Sequence, residues 1–197
     1  MERRFLLQLS DPEFPMEPTL AKIGDQILNL YPDDIEELVA CKTEIMFYFM
    51  HDQHEKFLSK VTLEKLNLKN HKSNLYRIPV VFNDSKDWEE VEKQTGLKKS
   101  DIVERIISET YTFEHFGFRP GFYYLNGLPS ELHCQRKENP DLNVLPGSVA
   151  LGGEYIGIYG QQSPAGWQII GRIDEKLNQL LPSFLKIGDH LKFIPNE

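Results

Sequence analysis

The residue pattern changes near residue 80, and this change limits the possible folds more than any other feature. Before it, strand-like runs alternate with segments of helical apolar spacing. From Tyr111 onward helical periodicity disappears, and Gly and Pro interrupt short aromatic or β-branched runs such as VLPGSVALGGEYIGIYG. Short strands separated by turn residues are typical of a barrel or a folded sheet. The sequence therefore predicts an α+β protein with two domains, residues 1–80 and 81–197.

The first domain has a regular order of predicted elements. Leu20, Ile23, Ile27 and Leu30 recur at helical spacing between two prolines, which predicts an amphipathic helix. The full predicted order is strand 5–9, helix 18–32, a hairpin of strands 35–40 and 44–50, helix 55–66 and strand 76–82. This β-α-β-β-α-β order is that of a ferredoxin-like module.

Two further helices are predicted at the start of the second domain. The first covers residues 86–95 with Gly96 as the C′ residue, because glycine readily takes the left-handed conformation that ends a helix. The second follows Ser100 as N-cap, with Asp101 and Glu104 near the positive end of the helix dipole.

The charge balance excludes several classes of partner. The chain has 30 acidic and 22 basic residues and a net charge of −8. Binding to nucleic acid or to anionic membranes needs clustered Lys and Arg, so neither partner is predicted. No apolar run reaches the ~18 residues of a membrane span, and the N-terminus lacks a signal-peptide pattern. We therefore expect a cytoplasmic protein.

Cysteine and histidine spacing gives no prediction of a metal site. Cys41 and Cys134 are far apart, and neither belongs to a CxxC pair. His51 and His54 have a loose metal-ligand spacing, but the surrounding HDQHEK is typical of a solvated helix start, so no metal site is predicted there. Both cysteines are expected to be reduced thiols, although the adjacency of His133 leaves a nucleophilic role for Cys134 open.

Glycine-rich turns carry the remaining polar residues that could act in chemistry. Gly117–Tyr124 surrounds Arg119 with aromatic residues, and Ser163–Arg172 combines a hydroxyl, an indole and a guanidinium. Each segment fits a rigid turn whose rings fill a core. Each also fits a loop whose arginine or backbone N–H groups bind an anion. The residues alone leave both interpretations open.

Taken together, the stretches from Ile78 to Arg172 resemble the family of the 5-oxoprolinase B subunit, also called KipI or allophanate hydrolase subunit 1. The matching stretches are IPVVF, TGLKKSDIVERII, YTFEHFGFRPGFYYLNGLP, PGSVALGGEYIGIYG and SPAGWQIIGR. The chain departs from the family pattern in a shortened loop at residues 83–88, in the absence of a second linker arginine near Pro140, and at Gly160 and Ala165. These departures bear on catalysis more than on the fold.

The resemblance implies a ferredoxin-like N-terminal domain followed by a cyclophilin-like β-barrel domain. It also implies an ATP-dependent complex, formed with a KipA-like protein and a LamB/YcsF-like protein, that cleaves 5-oxoproline to glutamate. ATP is needed because the lactam is a stabilised amide, and phosphorylating its oxygen creates a leaving group. The alternative implied by the KipI name is an inhibitor that binds a sensor histidine kinase.

The resemblance also implies site residues. The catalytic candidates are Arg119, Arg136, Ser148 and Arg172, and no metal site is implied. The substrate-binding candidates are Gly117, Phe118, Pro120, Gly121, Tyr124, Gly147, Gly152, Gly153, Tyr159, Ser163, Gly166 and Trp167.

Overall fold

The computed structural model describes residues 4–8, 19–40, 44–50, 73–82 and 85–196. The chain divides into two compact units, residues 1–72 and 73–197. Helices and sheets occur together in the described residues, which confirms the predicted α+β class. Within those ranges, no helix has both the length and the apolar character that a bilayer span requires.

The described residues of the first unit form a three-stranded antiparallel sheet and one helix. Its elements are β1 (Arg4–Gln8), α1 (Thr19–Leu30), β2 (Ile35–Ala40) and β3 (Glu44–Phe49), with sheet order β1-β3-β2. Ile23 and Ile27 of α1 are buried, as the helical spacing predicted. The β2–β3 hairpin is confirmed, since both strands pair in an antiparallel register. The predicted helix 55–66 lies outside the described residues.

The second unit is built around a closed seven-stranded barrel with strand order β11-β4-β12-β5-β6-β9-β8. A separate two-stranded sheet pairs β7 with β10. The strands of this unit are β4 (Leu75–Val81), β5 (Tyr111–Gly117), β6 (Arg119–Asn126), β7 (Asp141–Val144), β8 (Ser148–Gly152), β9 (Tyr155–Ile158), β10 (Ser163–Ala165), β11 (Gln168–Ile173) and β12 (His190–Pro195).

Strand β4 belongs to the barrel and not to the N-terminal sheet. It pairs in parallel with β12 and antiparallel with β11. The sequence placed this strand last in the first domain, because its local pattern fits either sheet. Its partners lie more than 90 positions later in the chain, and they draw it into the second unit. The two units therefore divide after residue 72, rather than after residue 80 as the sequence suggested.

Three α-helices accompany the barrel in the described residues: α2 (Trp88–Thr95), α3 (Lys99–Ser108) and α4 (Glu175–Phe184). Gly96 ends α2 with φ +70°, as predicted. The N-cap of α3 is Lys98, so the prediction of Ser100 is wrong by two residues. The pattern of Gly-punctuated strands gave no sign of α4, whose cap is Asp174, with Oδ1 accepting N–H bonds from Lys176 and Leu177.

Strand β6 separates two apolar layers. Tyr123 and Leu125 pack in the large core cluster, together with buried residues of α2, α3 and α4. Phe122 and Tyr124 point to the opposite face and pack in a smaller cluster with Tyr159 and Trp167. This alternation follows from the two-residue period of a strand. The smaller cluster forms the base of the candidate site.

Candidate functional site

A small aromatic pocket lies on the smaller cluster and gathers six of the predicted site residues. Its volume is about 90 Å³. We call it the aromatic pocket, and its lining residues are Phe118, Phe122, Tyr124, Arg136, Tyr159, Gly166 and Trp167. Phe122 is the member that the sequence analysis missed, although its spacing of two from Tyr124 on one strand places both side chains on the same face.

Two glycines create the space for the Trp167 indole. A Cβ atom at Gly152 would lie 2.2 Å from Cδ2 of the indole, and one at Gly157 would lie 2.8 Å from Cζ3. Real Cβ atoms essentially never approach other atoms this closely. The structure places Gly152, a predicted substrate-binding residue, beneath the Trp167 indole.

The pocket wall consists of rings in edge-to-face contact. The Phe122 ring lies 4.7 Å from Tyr159 and 5.3 Å from Trp167 between centroids, with interplanar angles of 79° and 89°. Aromatic pairs prefer this geometry, and each is worth ~0.5–1.5 kcal/mol beyond area burial. A wall of mutually packed rings keeps its shape before any ligand arrives.

Tyr159 contributes a phenol that stays neutral. Burial raises the pKa of Tyr159, and the neighbouring Tyr124 adds to this effect, while Arg136 opposes it. The phenol therefore remains a hydrogen-bond donor across the neutral pH range.

Phe118 forms the exposed rim of the pocket. It is the single non-glycine residue with a positive φ, 59°, in the described part of the chain. Such a conformation costs about 1–3 kcal/mol and is often found at functional sites. The residue is 59% exposed, and its ring contacts Phe122 edge to face. The turn thus holds an aromatic ring at the pocket entrance.

A polar group supports the pocket from behind Tyr124. The His115 ring stacks on Tyr124 at 4.3 Å between centroids, and its Nδ1 lies 3.5 Å from Oε2 of buried Glu114. The pKa of Tyr155 is raised, mainly by burial and secondarily by a hydrogen bond to Glu114. The Tyr155 ring also contacts Tyr124 edge to face. These contacts fix the orientation of Tyr124.

Arg136 is the cation of the pocket, and it also borders a second, polar cleft of about 430 Å³. The other two cations of that cleft have carboxylate partners: Lys93 pairs with Glu90 and Lys137 with Asp87. Among the described residues, no carboxylate pairs with Arg136. Its guanidinium is therefore available to an anionic ligand.

The other predicted arginines lie outside the aromatic pocket. Arg119 is exposed, with its guanidinium carbon 5.8 Å from the Phe118 ring centroid. Arg172 lines a different cleft and donates from Nε to the Pro146 carbonyl at 3.0 Å. Ser148 is buried and pairs with Arg172 across strands β8 and β11. The structure does not bring these three residues together with Arg136 in one pocket.

The predicted anion-binding turns use their own N–H groups internally. Gly147 donates to the Tyr159 carbonyl at 2.6 Å, and Gly153 donates to the Cys134 carbonyl at 2.7 Å. Gly121 has φ +74°, and its backbone lies against Gly160. These glycines shape the barrel turns rather than offer an anion cradle.

The remaining predicted residues do not line the pocket. Gly117 contacts the Tyr124 ring, since a Cβ atom there would lie 3.0 Å from Cε2. Pro120 is exposed on β6. Ser163 is buried on β10, and its hydroxyl has no hydrogen-bond partner within the described ranges.

Cys134 is poorly suited to act as a nucleophile. Cys134 is buried. The pKa of its thiol is raised to about 11, mainly by this burial and secondarily by the charge of Glu90. The neighbouring His133 directs Nε2 toward the Leu128 carbonyl at 3.1 Å. In the described parts of the chain, no three His, Cys, Asp or Glu side chains cluster as metal ligands do.

Two curated relatives carry the same description, that of the B subunit in 5-oxoprolinase. The chain is 37% identical over 130 residues to the protein of Escherichia coli O157:H7, a match that covers 64% of this chain and 60% of that protein. It is 39% identical over 122 residues to the protein of Haemophilus influenzae, covering 59% of this chain and 57% of the relative. The matches thus span well under two thirds of either relative.

Solved structures share the fold. The crystal structure of TTHA0988 matches 99% of this chain and 40% of its own chain with a TM-score of 0.80 and 24% identity. The Kluyveromyces lactis urea carboxylase matches 99% of this chain and 21% of its own with a TM-score of 0.68 and 17% identity. These likenesses concern the fold alone.

A family match covers most of the sequence. Residues 4–180 match the family described as "Carboxyltransferase domain, subdomain C and D". This range includes strands from both units and every residue that lines the aromatic pocket. The resemblance that the sequence motifs indicated is thereby confirmed, and the chain belongs to the carboxyltransferase domain, subdomain C and D family.

Proposed function

We propose that this chain acts as the B subunit of an ATP-dependent 5-oxoprolinase in the cytoplasm, together with a KipA-like protein and a LamB/YcsF-like protein. The names of the relatives at 37% and 39% identity support this assignment. We also propose that the first unit is ferredoxin-like and that the barrel is cyclophilin-like. The β-α-β-β order and the antiparallel β1-β3-β2 sheet support the former.

The aromatic pocket is the proposed binding site for 5-oxoproline. The observation that carries this proposal is the position of Arg136, a guanidinium without a carboxylate partner among the described residues, beside a wall of aromatic rings. The ligand has a carboxylate and a flat five-membered lactam. A guanidinium binds a carboxylate through two parallel hydrogen bonds, and the ring faces suit the lactam. Neutral Tyr159 supplies a donor for the lactam oxygen.

The nucleotide is proposed to bind outside the aromatic pocket. The aromatic pocket, at about 90 Å³, is far smaller than a nucleotide requires. The N–H groups of Gly147 and Gly153 are already bonded to carbonyls, so these turns do not fit a phosphate. We propose that this chain holds the lactam in the aromatic pocket while the phosphoryl group is delivered from outside that pocket.

The assignment can be tested by coexpressing the chain with the KipA-like and LamB/YcsF-like proteins of its own genome. The purified complex is expected to convert 5-oxoproline to glutamate only when ATP is present. A preparation that lacks this chain is the control. The assignment is wrong if the complete complex forms glutamate no faster than this control.

The pocket can be tested separately in the same complex. Arg136→Gln removes a charge-assisted pair worth ~1.5–3 kcal/mol, so KM for 5-oxoproline should rise about 10-fold to 150-fold. The matched control is Arg105→Gln, because Arg105 is an exposed arginine that pairs with Glu131 away from the pocket. An unchanged KM in Arg136→Gln would exclude this pocket while leaving intact the assignment of the chain to the complex.

A further inference from the structure

The segment that carries Arg136 is held on both sides of that residue. It runs from Cys134, whose carbonyl accepts the Gly153 N–H, to strand β7 at Asp141. Although this segment contains neither helix nor strand, its backbone groups have specific partners. The partners come from α2 and from strand β11 or the turn before it, which belong to the packed barrel unit.

Two glutamine side chains hold the residue before Arg136. The N–H of Gln135 donates to Oε1 of Gln94 at 2.7 Å, and its carbonyl accepts Nε2 of Gln168 at 3.1 Å. Gln94 is in turn fixed by donation of its Nε2 to Glu90 at 2.9 Å. Gln168 is buried at the start of β11. Both backbone polar groups of residue 135 are therefore bonded to side chains of two different elements.

Lys137 holds the residue after Arg136. Its N–H donates to the Gly166 carbonyl at 2.6 Å. Its ammonium group lies 2.5 Å from a carboxylate oxygen of Asp87 and 2.5 Å from one of Asp141. The Lys137 side chain is only 11% exposed, and that of Asp87 is 6% exposed. The positive charge of buried Lys137 is therefore already paired with two carboxylates and is not available to a ligand.

Asp87 connects this ion cluster to the wall of the barrel. The same Oδ2 that pairs with Lys137 accepts the N–H of Ile169 on β11 at 2.7 Å. Asp87 directly precedes α2, whose Trp88 and Val91 are buried in the core. The ion cluster of Lys137, Asp87 and Asp141 thus attaches the Arg136 segment to the N-terminal end of α2 and to strand β11.

We propose that Lys137 is a positioning residue for Arg136: with Asp87 and Asp141 it fixes the backbone from which the Arg136 guanidinium reaches the aromatic pocket. This inference rests on the proposed function of Arg136 in binding the 5-oxoproline carboxylate. Arginine loses affinity when its backbone moves, because its two hydrogen bonds need a set geometry. Anchors on both sides keep that geometry before the ligand binds.

The test compares Lys137→Gln with the double variant Asp87→Asn/Lys137→Gln. The single variant leaves a buried carboxylate without its cation, which destabilises the fold, whereas the double variant removes both charges. Lys93→Gln is the matched control, because Lys93 lines the same polar cleft but has a side chain that is 77% exposed and pairs with Glu90. Thermal unfolding of every variant verifies that the barrel is folded.

Two measurements are made on each folded variant. Calorimetry with 5-oxoproline should show affinity reduced by about 10-fold to 100-fold in the double variant and unchanged in Lys93→Gln. Nitrogen-15 relaxation should show the Arg136 amide order parameter falling from about 0.85 to below about 0.6 in both Lys137 variants, and staying near 0.85 in Lys93→Gln.

The outcomes separate this inference from the proposed function. An Arg136 amide that stays rigid in the double variant overturns the positioning role, whatever the affinity does. If the wild-type chain and the wild-type complex both fail to bind 5-oxoproline, the proposed function fails. In that case the relaxation measurement still decides whether Lys137 fixes residue 136.

Discussion

Replacing Gly152 with alanine should disturb the aromatic pocket from below. A Cβ atom at this position would lie 2.2 Å, 2.4 Å and 2.5 Å from three atoms of the Trp167 indole. Ordinary contact begins at 3.4 Å, so the indole must retreat by more than 1 Å. The indole is rigid and cannot bend to avoid the methyl group, and Gly152 lies in a strand whose backbone is fixed by pairing with β9 and β11.

The cost of this displacement follows from three contributions. Overpacking a well-packed site costs about 1–3 kcal/mol. Moving the indole also weakens its contacts with Phe122 and Tyr124, at 5.3 Å and 5.5 Å between centroids. Each such pair is worth ~0.5–1.5 kcal/mol. In the opposite direction, replacing glycine with alanine stabilises the folded state by about 0.4–1 kcal/mol, because alanine reduces the conformational entropy of the unfolded chain. The free energy of unfolding should therefore fall by about 3 kcal/mol.

Urea unfolding followed by circular dichroism measures this loss. The matched control is Gly166→Ala, because a Cβ atom there would meet only Pro140 Cγ at 3.9 Å, an ordinary contact. In a Trp167→Ala background the clash is absent, so adding Gly152→Ala should cost much less than it does in the wild type. A free energy of unfolding of Gly152→Ala within about 0.5 kcal/mol of the wild type, or an equal loss in both backgrounds, would contradict a clash with the Trp167 indole.

Three further predictions concern other parts of the second unit. Arg172→Ala removes the bond to the Pro146 carbonyl, so the free energy of unfolding in urea should fall by about 1–2 kcal/mol, and an unchanged value would contradict this role. Burial raises the pKa of the Cys134 thiol to about 11. At about pH 8 only one thiol in ~1,000 is then ionised, so mass spectrometry should find Cys134 largely unalkylated by iodoacetamide until urea is added. For Asp141, burial opposes ionisation, but bonds from Lys137 and Lys86 prevail and lower its pKa. The ionised carboxylate therefore stabilises the fold above about pH 4 and loses this effect as the pH falls through the lowered pKa. Asp141→Asn should be less stable than the wild type near neutral pH, and a stability difference that persists unchanged in acid would disprove the ion-pair account.

Local patterns predicted most elements of the fold because those elements depend on local physics. The α1 helix follows from apolar spacing, and the end of α2 follows from the conformational freedom of Gly96. Strand β4 shows where this reasoning stops: its alternating pattern identifies a strand but not the sheet that it joins. Helix α4 was missed because its neighbours are strands, and its Pro182 lowers its helical character.

The candidate site was predictable in its aromatic part more than in its charged part. Rings at a spacing of two, such as Phe122 and Tyr124, must share a face of their strand. Arginines on separate elements carry no such constraint. In addition, β-bulges between Phe113 and His115 and between Ile169 and Gly171 interrupt the alternation of side chains between the two faces of a strand. The pair of Asp87 with Lys137 joins residues 50 positions apart, so no local pattern could indicate it.

The parallel pairing of β4 with β12 has a consequence for biosynthesis. Strand β12 lies between β4 and β5 in the barrel, and His190 pairs with Leu75. At about 5–20 residues per second, a ribosome needs several seconds or more between completing β4 and releasing β12. During that interval β4 and β5 each have an open edge, and open edges are the usual sites of strand-to-strand aggregation. Nascent chains stalled before residue 190 should therefore depend on chaperones, whereas chains in which residues 190–195 have left the ribosome should close the barrel and become protease-resistant.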